Sequence, residues 1–183
     1  MANEPLILTA RIAYEDLEPF NALRKQHFPR DRNFLNAHLT MFHHLPGQHV
    51  EEIKSVLASA VDDTDGAINV DVVGLRHLGA GVAFSLASPE LHDIYARLRY
   101  HFRPWLKPQD LQKWQPHITI QNKVSQAVSG LLYIHLRAAF QPHFITVTGL
   151  DLWSYLGGPW RFESSVVFGS TGRCDDHPGD DAP

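Results

Sequence analysis

Cysteine is almost absent from this chain of 183 residues, in which Cys174 is the one example. A single thiol excludes an intramolecular disulfide framework. Cys174 lies beside Asp175, Asp176 and His177, but this spacing does not match a compact zinc site. Segment 169–183 is rich in Gly, Asp, Ser and Pro, so we predict a mobile, solvated acidic tail there rather than a metal site.

Long hydrophobic runs are also missing. No apolar segment approaches the roughly 20 residues that a bilayer-spanning helix needs. Residues 1–5 lack the basic and apolar regions of a secretory signal. With 44% hydrophobic and 20% charged residues, the composition is typical of a globular protein with one sizeable core or two small lobes. We expect a cytoplasmic monomer with no membrane partner.

The chain has no strong excess of charge of one sign. Its formal net charge is −4, and most of that comes from residues 169–183, which hold four aspartates and one arginine. The remainder carries 15 basic and 16 acidic residues. Proteins that bind long nucleic acid usually have a basic stripe, so we expect no long duplex nucleic acid as a partner. A small or terminal phosphate held in a local cleft fits this charge better.

Two short stretches of one pattern are present instead, at residues 36–42 and 115–121. Side chains i and i+2 of a strand share one face, so His38 and Thr40 project together, and His117 and Thr119 do the same. With 12 histidines and seven threonines, random placement gives about half of one His-x-Thr match. The shared apolar context makes the pair informative, and it predicts an acid/base site built from both stretches.

The two motifs occupy the same place in a pattern of elements that occurs twice. Each half reads as strand, helix, loop, His-x-Thr strand, helix, strand. Polar caps at Asp16, Ser88 and Ser125 indicate helix starts. The predicted elements are a strand over 6–12, a helix from about 14 to 27, the first motif strand, a helix over 49–62, strands over 67–78 and 82–87, a helix from 88, a loop over 103–115, the second motif strand, a helix over 125–139, and strands over 143–150 and near 162–168.

This repetition predicts the fold class, α+β, and its architecture. We expect a duplicated bilobal fold in a single domain over 1–168, with lobe one at about 5–79, lobe two at about 80–168 and a joint at Gly79-Ala80-Gly81. Two antiparallel-type sheets with outer helices would surround a central cleft under pseudo-two-fold symmetry, and strand exchange between the lobes is left open. That symmetry would bring the two motif strands face to face across the cleft.

At these motifs the chain resembles the two-histidine (2H) phosphoesterase superfamily, which includes 2'-5' RNA ligase-like proteins and cyclic nucleotide phosphodiesterases. The family signature is a pair of His-hydrophobic-Thr/Ser-hydrophobic motifs, matched at residues 38–41 and 117–120. The resemblance covers about residues 5–168. It implies a bilobal fold with a V-shaped cleft and metal-independent, cofactor-free chemistry on 2',3'-cyclic or 2'-5' phosphodiesters, with a small nucleotide cyclic phosphate or an RNA end as partner.

Two departures from the family pattern concern the substrate. Members often continue the first motif into Phe-Leu-Gly, whereas residues 42–47 here read Phe-His-His-Leu-Pro-Gly. Members also often carry an arginine shortly after the second motif, where this chain has Asn122 and Lys123.

The chemistry of a cyclic phosphate explains why histidine and threonine suit such a site. Histidine has an unperturbed pKa near 6.5, so one imidazole of His38 and His117 can act as base and the other as acid. The sequence leaves open which is which. Thr40 and Thr119 would donate hydrogen bonds to the non-bridging oxygens, where charge builds in the transition state.

Several further residues are candidates for substrate binding. Gln121 and Phe42 share the faces of the motif pairs by strand alternation, Lys123 offers a charge, and Trp160 lies in a loop that could reach the cleft and stack on a base. Core packing explains Gln121 and Phe42 equally well. Trp105, Trp114 and Tyr155 are open to the same two interpretations, base stacking or local anchoring.

Two other functions stay open at this point. One is a non-catalytic protein that binds RNA ends or small nucleotides in the same cleft. The other is a metal-dependent hydrolase that uses His43, His44 and His49, although the first two face opposite sides of a strand.

Overall fold

The structure, a computed structural model, describes residues 4–169. The strands of that range are β1 (Leu6–Ile12), β2 (Leu39–Leu45), β3 (Ile68–His77), β4 (Val82–Ala87), β5 (His117–Gln121), β6 (His143–Tyr155) and β7 (Trp160–Val167). Its helices are α1 (Tyr14–His27), α2 (Val50–Val61), α3 (Pro89–Phe102), α4 (Pro108–Leu111) and α5 (Gln126–Ala139). All predicted helices and strands are present, and α4 lies within the predicted loop. The proposed acidic tail falls outside the described residues except for Gly169.

All seven strands belong to one antiparallel sheet. Their order is β1-β2-β5-β4-β3-β6-β7, and β6 also pairs with β1. This extra pairing closes six of the strands into a ring, and β7 continues along β6 outside it. We expected two sheets, but the structure has one because the long strand β6, of 13 residues, joins three others. Along one edge β6 pairs with β3 up to Val147 and with β7 from Gly149 onward. Along its other edge it pairs with β1.

A tight hairpin lies where we expected the joint between lobes. The N–H of Leu78 donates to the carbonyl of Gly81 at 2.8 Å, and Gly79 has a φ of 82° that favours glycine. A Cβ at Gly81 would clash with the carbonyl oxygen of Gln121. The strands β3 and β4 therefore pair directly across the expected boundary, and the division into two lobes stays a prediction.

Helices cover the outside of the closed sheet. The helices α2 and α3 pack against each other, α1 packs on β5, and α5 packs on β3 and β4. Each buried Leu, Ile or Phe side chain contributes about 1.5–3 kcal/mol relative to an exposed one. Among residues 4–169, no helix is long and apolar enough to cross a membrane.

The predicted helix caps are partly confirmed. Ser88 accepts from the N–H of Leu91 at 3.2 Å, and Ser125 accepts from that of Val128 at 3.3 Å. The cap prediction at Asp16 is wrong, because α1 begins one residue after Ala13. The Asp16 carboxylate instead accepts from the N–H of Thr146 at 2.7 Å and so joins α1 to β6.

Candidate active site

The two motifs lie on neighbouring antiparallel strands. Leu39 of β2 pairs with Ile118 of β5, and both side chains are fully buried. The alternation of side chains therefore places His38 opposite Thr119, and Thr40 opposite His117, on the other face of the sheet.

This pairing sets the geometry of the four polar side chains. Directly opposite residues have Cβ atoms about 4.5–5.5 Å apart, and diagonal ones about 7–8 Å. The two imidazoles are thus diagonal neighbours, and the two threonines occupy the other diagonal. We expected the motifs to face each other across a cleft, but they lie side by side on one surface because their strands are hydrogen-bonded neighbours. The two-fold axis that relates them is the local axis of the antiparallel pair, which is perpendicular to the sheet.

Both histidines are held in the same way. The Nδ1 atom of His38 is 2.8 Å from the carbonyl oxygen of Asn36, and the Nδ1 atom of His117 is 2.8 Å from that of Gln115. A carbonyl oxygen only accepts, so Nδ1 carries the proton in both rings. In the neutral imidazole the Nε2 atom is then the unprotonated nitrogen, free to take a proton from a reactant.

The surroundings of His38 disfavour its protonated form. The pKa of His38 is lowered to about 4, chiefly by burial; the bond to Asn36 raises it, and the charge of Arg24 and the nearby His43 and His117 rings lower it. The ring of His38 also packs on Trp160, with centroids 4.7 Å apart. His38 is therefore neutral at pH 7 in the free protein.

Arg24 is a buried cation that connects the backbone just before the first motif to the backbone of the second. Its Nε donates to the carbonyl of Leu35 at 2.9 Å, and its Nη1 donates to the carbonyl of Thr119 at 2.8 Å. The guanidinium lies over the ring of Phe28, 4.0 Å from its centroid, and burial lowers the pKa of Arg24 to about 10. The side chain thus fixes the spacing of the motifs and places a positive charge beside His38.

Arg76 is a site residue that the sequence did not reveal. It pairs with Ala83, which pairs with Thr119, so Arg76 lies on the same face as the motif residues with only a methyl group between. It makes no hydrogen bond or ion pair to any of residues 4–169. The pKa of His117 is lowered first by burial and then by Arg76, against the bond to Gln115. Recognising residues 78–81 as a hairpin turn would have indicated this position.

A bulge at the last residue of each motif redirects the residue that follows it. Thr40 pairs with Thr9 but Phe42 pairs with Leu8, so Met41 is the extra residue in β2. Phe42 therefore does not share the face of His38 and Thr40, and of its two interpretations core packing is confirmed. Its ring lies in the core, 4.8 Å from Tyr95 and fully buried.

The second motif has the same irregularity. Thr119 pairs with Ala83 but Gln121 pairs with Val82, so Ile120 is the extra residue in β5. Gln121 is 3% exposed, and its Oε1 makes no hydrogen bond to residues 4–169. The structure does not bring Gln121 into the cleft. Lys123 lies in the following turn with a φ of 64° and an exposed side chain.

Of the four aromatic candidates, Trp160, the first residue of β7, packs on the ring of a motif histidine, His38. Trp114 is a local anchor: its indole N–H donates to the carbonyl of Thr40 at 3.1 Å, and its ring stacks on Tyr95 with centroids 4.4 Å apart. Trp105 stacks on His49 with centroids 4.6 Å apart. Tyr155 ends β6 and is 40% exposed.

The histidine cluster proposed as a metal site is divided among different partners. His43 Nδ1 is 2.9 Å from the buried Asp110 carboxylate, and His49 Nδ1 is 3.2 Å from Glu52. Asp110 also accepts from the backbone N–H groups of His43 and His44, which ties α4 to β2. Within residues 4–169, no three His, Cys, Asp or Glu side chains form a group that could hold a metal ion.

A cavity of about 210 Å³ opens beside His38. Trp153 and Trp160 form an aromatic wall, and Arg11 and Asp151 form a polar one. Burial raises the pKa of Asp151, whereas the hydrogen bond and the charge of Arg11 lower it. The site therefore combines two imidazoles, two hydroxyls, an unpaired arginine and an adjoining aromatic cavity.

Comparison with known proteins identifies the family. The family model of the 2'-5' RNA ligase superfamily matches residues 13–159. The chain belongs to this superfamily of 2H phosphoesterases. No curated protein sequence matches the chain significantly.

Solved structures share the fold of this 2H phosphoesterase. E. coli LigT complexed with phosphate has 17% identity and a TM-score of 0.58, over 93% of this chain and 100% of that one. LigT complexed with 3'-AMP has 16% identity and a TM-score of 0.60, over 92% and 99%. The TT0787 protein of Thermus thermophilus has 10% identity and a TM-score of 0.61, over 92% and 100%.

Proposed function

We propose that this 2H phosphoesterase is a metal-independent phosphodiesterase that opens a 2',3'-cyclic phosphate or cleaves a 2'-5' phosphodiester of a nucleotide or RNA end. The observation that carries the proposal is the pairing of Leu39 with Ile118, which puts two imidazoles and two hydroxyls on alternate diagonals of one surface. A phosphate group centred there would have a histidine on each of two opposite sides.

The two diagonals match the two needs of the reaction. In-line displacement at phosphorus needs a base at the attacking oxygen and an acid at the leaving oxygen, and His38 and His117 supply these. Charge builds on the non-bridging oxygens, and the hydroxyls of Thr40 and Thr119 donate to them. That a relative, LigT, has been solved with phosphate and with 3'-AMP supports a nucleotide ligand.

The lowered pKa of His38 supports His38 as the base in hydrolysis and His117 as the acid. His38, with a pKa near 4, is unprotonated at neutral pH and takes the proton of the attacking water through Nε2. The oxygen of that water bonds to phosphorus, and the P–O bond to the 2' or 3' oxygen breaks. His117 delivers its proton to this leaving oxygen. The product is a monoester, and the proton returns to His117 through solvent.

Arg76 supplies charge to the phosphate in this proposal. It lies on the reactive face and has no partner among residues 4–169, and Asn122 and Lys123 stand where members of the family often have an arginine. An arginine can donate two parallel hydrogen bonds to a phosphate. The cation is thus supplied by β3, two strands away from β5 in the sheet, and not by the residues that follow the second motif.

A hydrolysis screen tests the function. Nucleoside 2',3'-cyclic phosphates and 2'-5' dinucleotides are incubated with the protein in EDTA, and the monoester products are identified. His38→Ala and His117→Ala are each expected to lose at least about 10²-fold of the activity with the fold intact by circular dichroism. His101→Ala, at an exposed position on α3, is the matched control and retains full activity. Full activity in either motif variant, or loss of wild-type activity in EDTA, contradicts the proposal.

The alternative is a nucleotide-binding protein without catalysis. It is favoured by the strongly lowered pKa of His38, since a very weak base activates water poorly. Tight binding of a cyclic phosphate with no turnover at any pH from 4 to 9 would establish it. A cytoplasmic location and a monomeric state stay predictions.

A further inference from the structure

The cavity beside His38 has the shape and lining of a base subsite. Its volume, about 210 Å³, is below the roughly 300–1,000 Å³ typical of pockets for drug-sized ligands. It is thus suited to one planar ring system, not a whole nucleotide. Trp153 and Trp160 are adjacent, with ring centroids 6.2 Å apart, and Trp160 also contacts His38. A ring stacked on this wall would lie next to a phosphate held by the motifs.

The polar wall of the cavity has an acceptor without a partner. Arg11 donates from both Nε and Nη2 to the same oxygen of Asp151, Oδ1, at 2.9 and 2.7 Å. The other oxygen, Oδ2, makes no hydrogen bond to residues 4–169, although the Asp151 side chain is only 15% exposed. This oxygen is therefore available as an acceptor for a ligand with N–H groups.

Arg11 contributes a donor at the same wall. Its Nη1 makes no hydrogen bond to residues 4–169, since Nε and Nη2 are the atoms that bind Asp151. The ion pair therefore offers one positive donor and one negative acceptor at the same wall of the cavity. A base that fits this pair presents an acceptor next to one or two donors along one edge.

We propose that the cavity beside His38 is a nucleobase subsite that selects guanine, with Trp160 stacking on the ring and Asp151 accepting from N1–H and the 2-amino group. This inference rests on the proposed function. Guanine has O6 as an acceptor for Arg11 next to two donors for the carboxylate. Adenine, cytosine and uracil each have at most one donor position on the same edge, so they leave the carboxylate less well paired.

Equilibrium binding tests the inference without turnover. The affinities of the wild-type protein for the 3'-monophosphates of guanosine, inosine, adenosine, cytidine and uridine are measured at pH 7 by calorimetry. Guanosine 3'-monophosphate is expected to bind at least tenfold more tightly than the other four. Inosine is the decisive comparison because it differs from guanosine only by the missing 2-amino group. Equal affinities for guanosine and inosine overturn the proposal, as does failure of all five to bind.

Substitution of the carboxylate gives a second, opposite readout. In Asp151→Asn the side-chain oxygen still accepts from Arg11, but an amide donor replaces Oδ2. The variant should lose the guanosine preference and bind xanthosine 3'-monophosphate, which has an oxygen at position 2, at least fivefold better than wild type does. A fold defect would weaken all ligands and could not invert a preference. Asp93→Asn, an exposed carboxylate on α3, is the control and keeps the guanosine preference.

Further measurements test the stacking role of Trp160 and distinguish a failure of the subsite from a failure of the proposed function. Trp160→Ala should weaken all five monophosphates by a similar factor of at least about five, since stacking is tolerant of base identity. If hydrolysis of cyclic phosphates is intact but guanosine has no advantage, the subsite is wrong and the proposed function stands. If guanosine is preferred but no phosphodiester is hydrolysed, the proposed function is wrong and the subsite stands.

Discussion

The two His-x-Thr motifs have the same residues and the same histidine contact, yet their surroundings differ. His38 lies beside Trp160, an aromatic cavity and the buried cation Arg24. His117 lies beside Arg76, a cation on the reactive face. Two identical side chains thus meet different electrostatic environments. A pattern repeated in sequence thus sets where the two imidazoles lie, while their non-repeated neighbours set the pKa of each one.

The pH dependence of the two motif variants is the strongest test of this asymmetry. In the proposed mechanism His38 is unprotonated and His117 protonated, so kcat/KM should rise above pH 4 and fall as pH passes the pKa of His117, which lies below 6.5. The expected maximum is below pH 6.5. His38→Ala should remove the acidic limb and His117→Ala the alkaline one, each with a loss of about 10²–10⁴-fold. The measurement is kcat/KM from pH 4 to 9, and exchanged limbs would reverse the assignment.

The two threonines should contribute equally to the binding of the phosphate oxygens in the proposed mechanism. Thr40→Val and Thr119→Val keep the volume of the side chain but remove the hydroxyl donor. Each is expected to lower kcat by about 10²-fold, by analogy with the loss of an oxyanion donor. The serine variants at both positions, which retain the hydroxyl, are the controls and should recover most of the rate. A large effect at one position only would argue that the phosphate binds a single motif.

Substitution of Arg76 should affect the His117 side of the site alone. Arg76→Gln removes a charge that lowers the pKa of His117, so the alkaline limb of kcat/KM should move to higher pH. Loss of the phosphate contact should also raise KM by about tenfold. Arg103→Gln, exposed just after the end of α3, is the control. An unchanged alkaline limb together with an unchanged KM would exclude Arg76 from the site.

The smallest expected effect concerns the Trp114 side chain that links the motifs. Trp114 donates to the carbonyl of Thr40, and the next residue, Gln115, holds His117 through its own carbonyl. Trp114→Phe should reduce the free energy of unfolding by about 0.5–1.5 kcal/mol through the lost hydrogen bond. Chemical denaturation measures this. Trp105→Phe, which lacks such a contact to a motif, should leave kcat unchanged, whereas an activity loss in Trp105→Phe would contradict the comparison.

The sequence predicted the parts of this molecule that depend on local pattern. Strand alternation placed Thr40 with His38 and Thr119 with His117, and the caps at Ser88 and Ser125 followed from side-chain chemistry. The predictions failed where the pairing of distant strands determines which side chains lie at the site. A side chain such as Arg76 reaches the site through the register of β3 with β4, which no local pattern contains.

The placements of Phe42 and Gln121 failed for a related reason. Alternation assumes a regular strand, and each of these residues follows an extra residue that its partner strand does not match. The buried Asp110 was also missed, because it lies in a predicted loop and its role is to accept backbone N–H groups of β2.

The paired bulges have a consequence for protein design. Met41 and Ile120 end the two motifs, and each lets the motif present its polar pair on one face and return the next side chain to the core. A designer who grafts His-x-Thr sequences onto two regular strands would reproduce the composition but leave the fifth residue of each graft pointing into the site. A working graft needs one inserted residue per strand, and the motif is best regarded as a unit of backbone shape as well as of side chains.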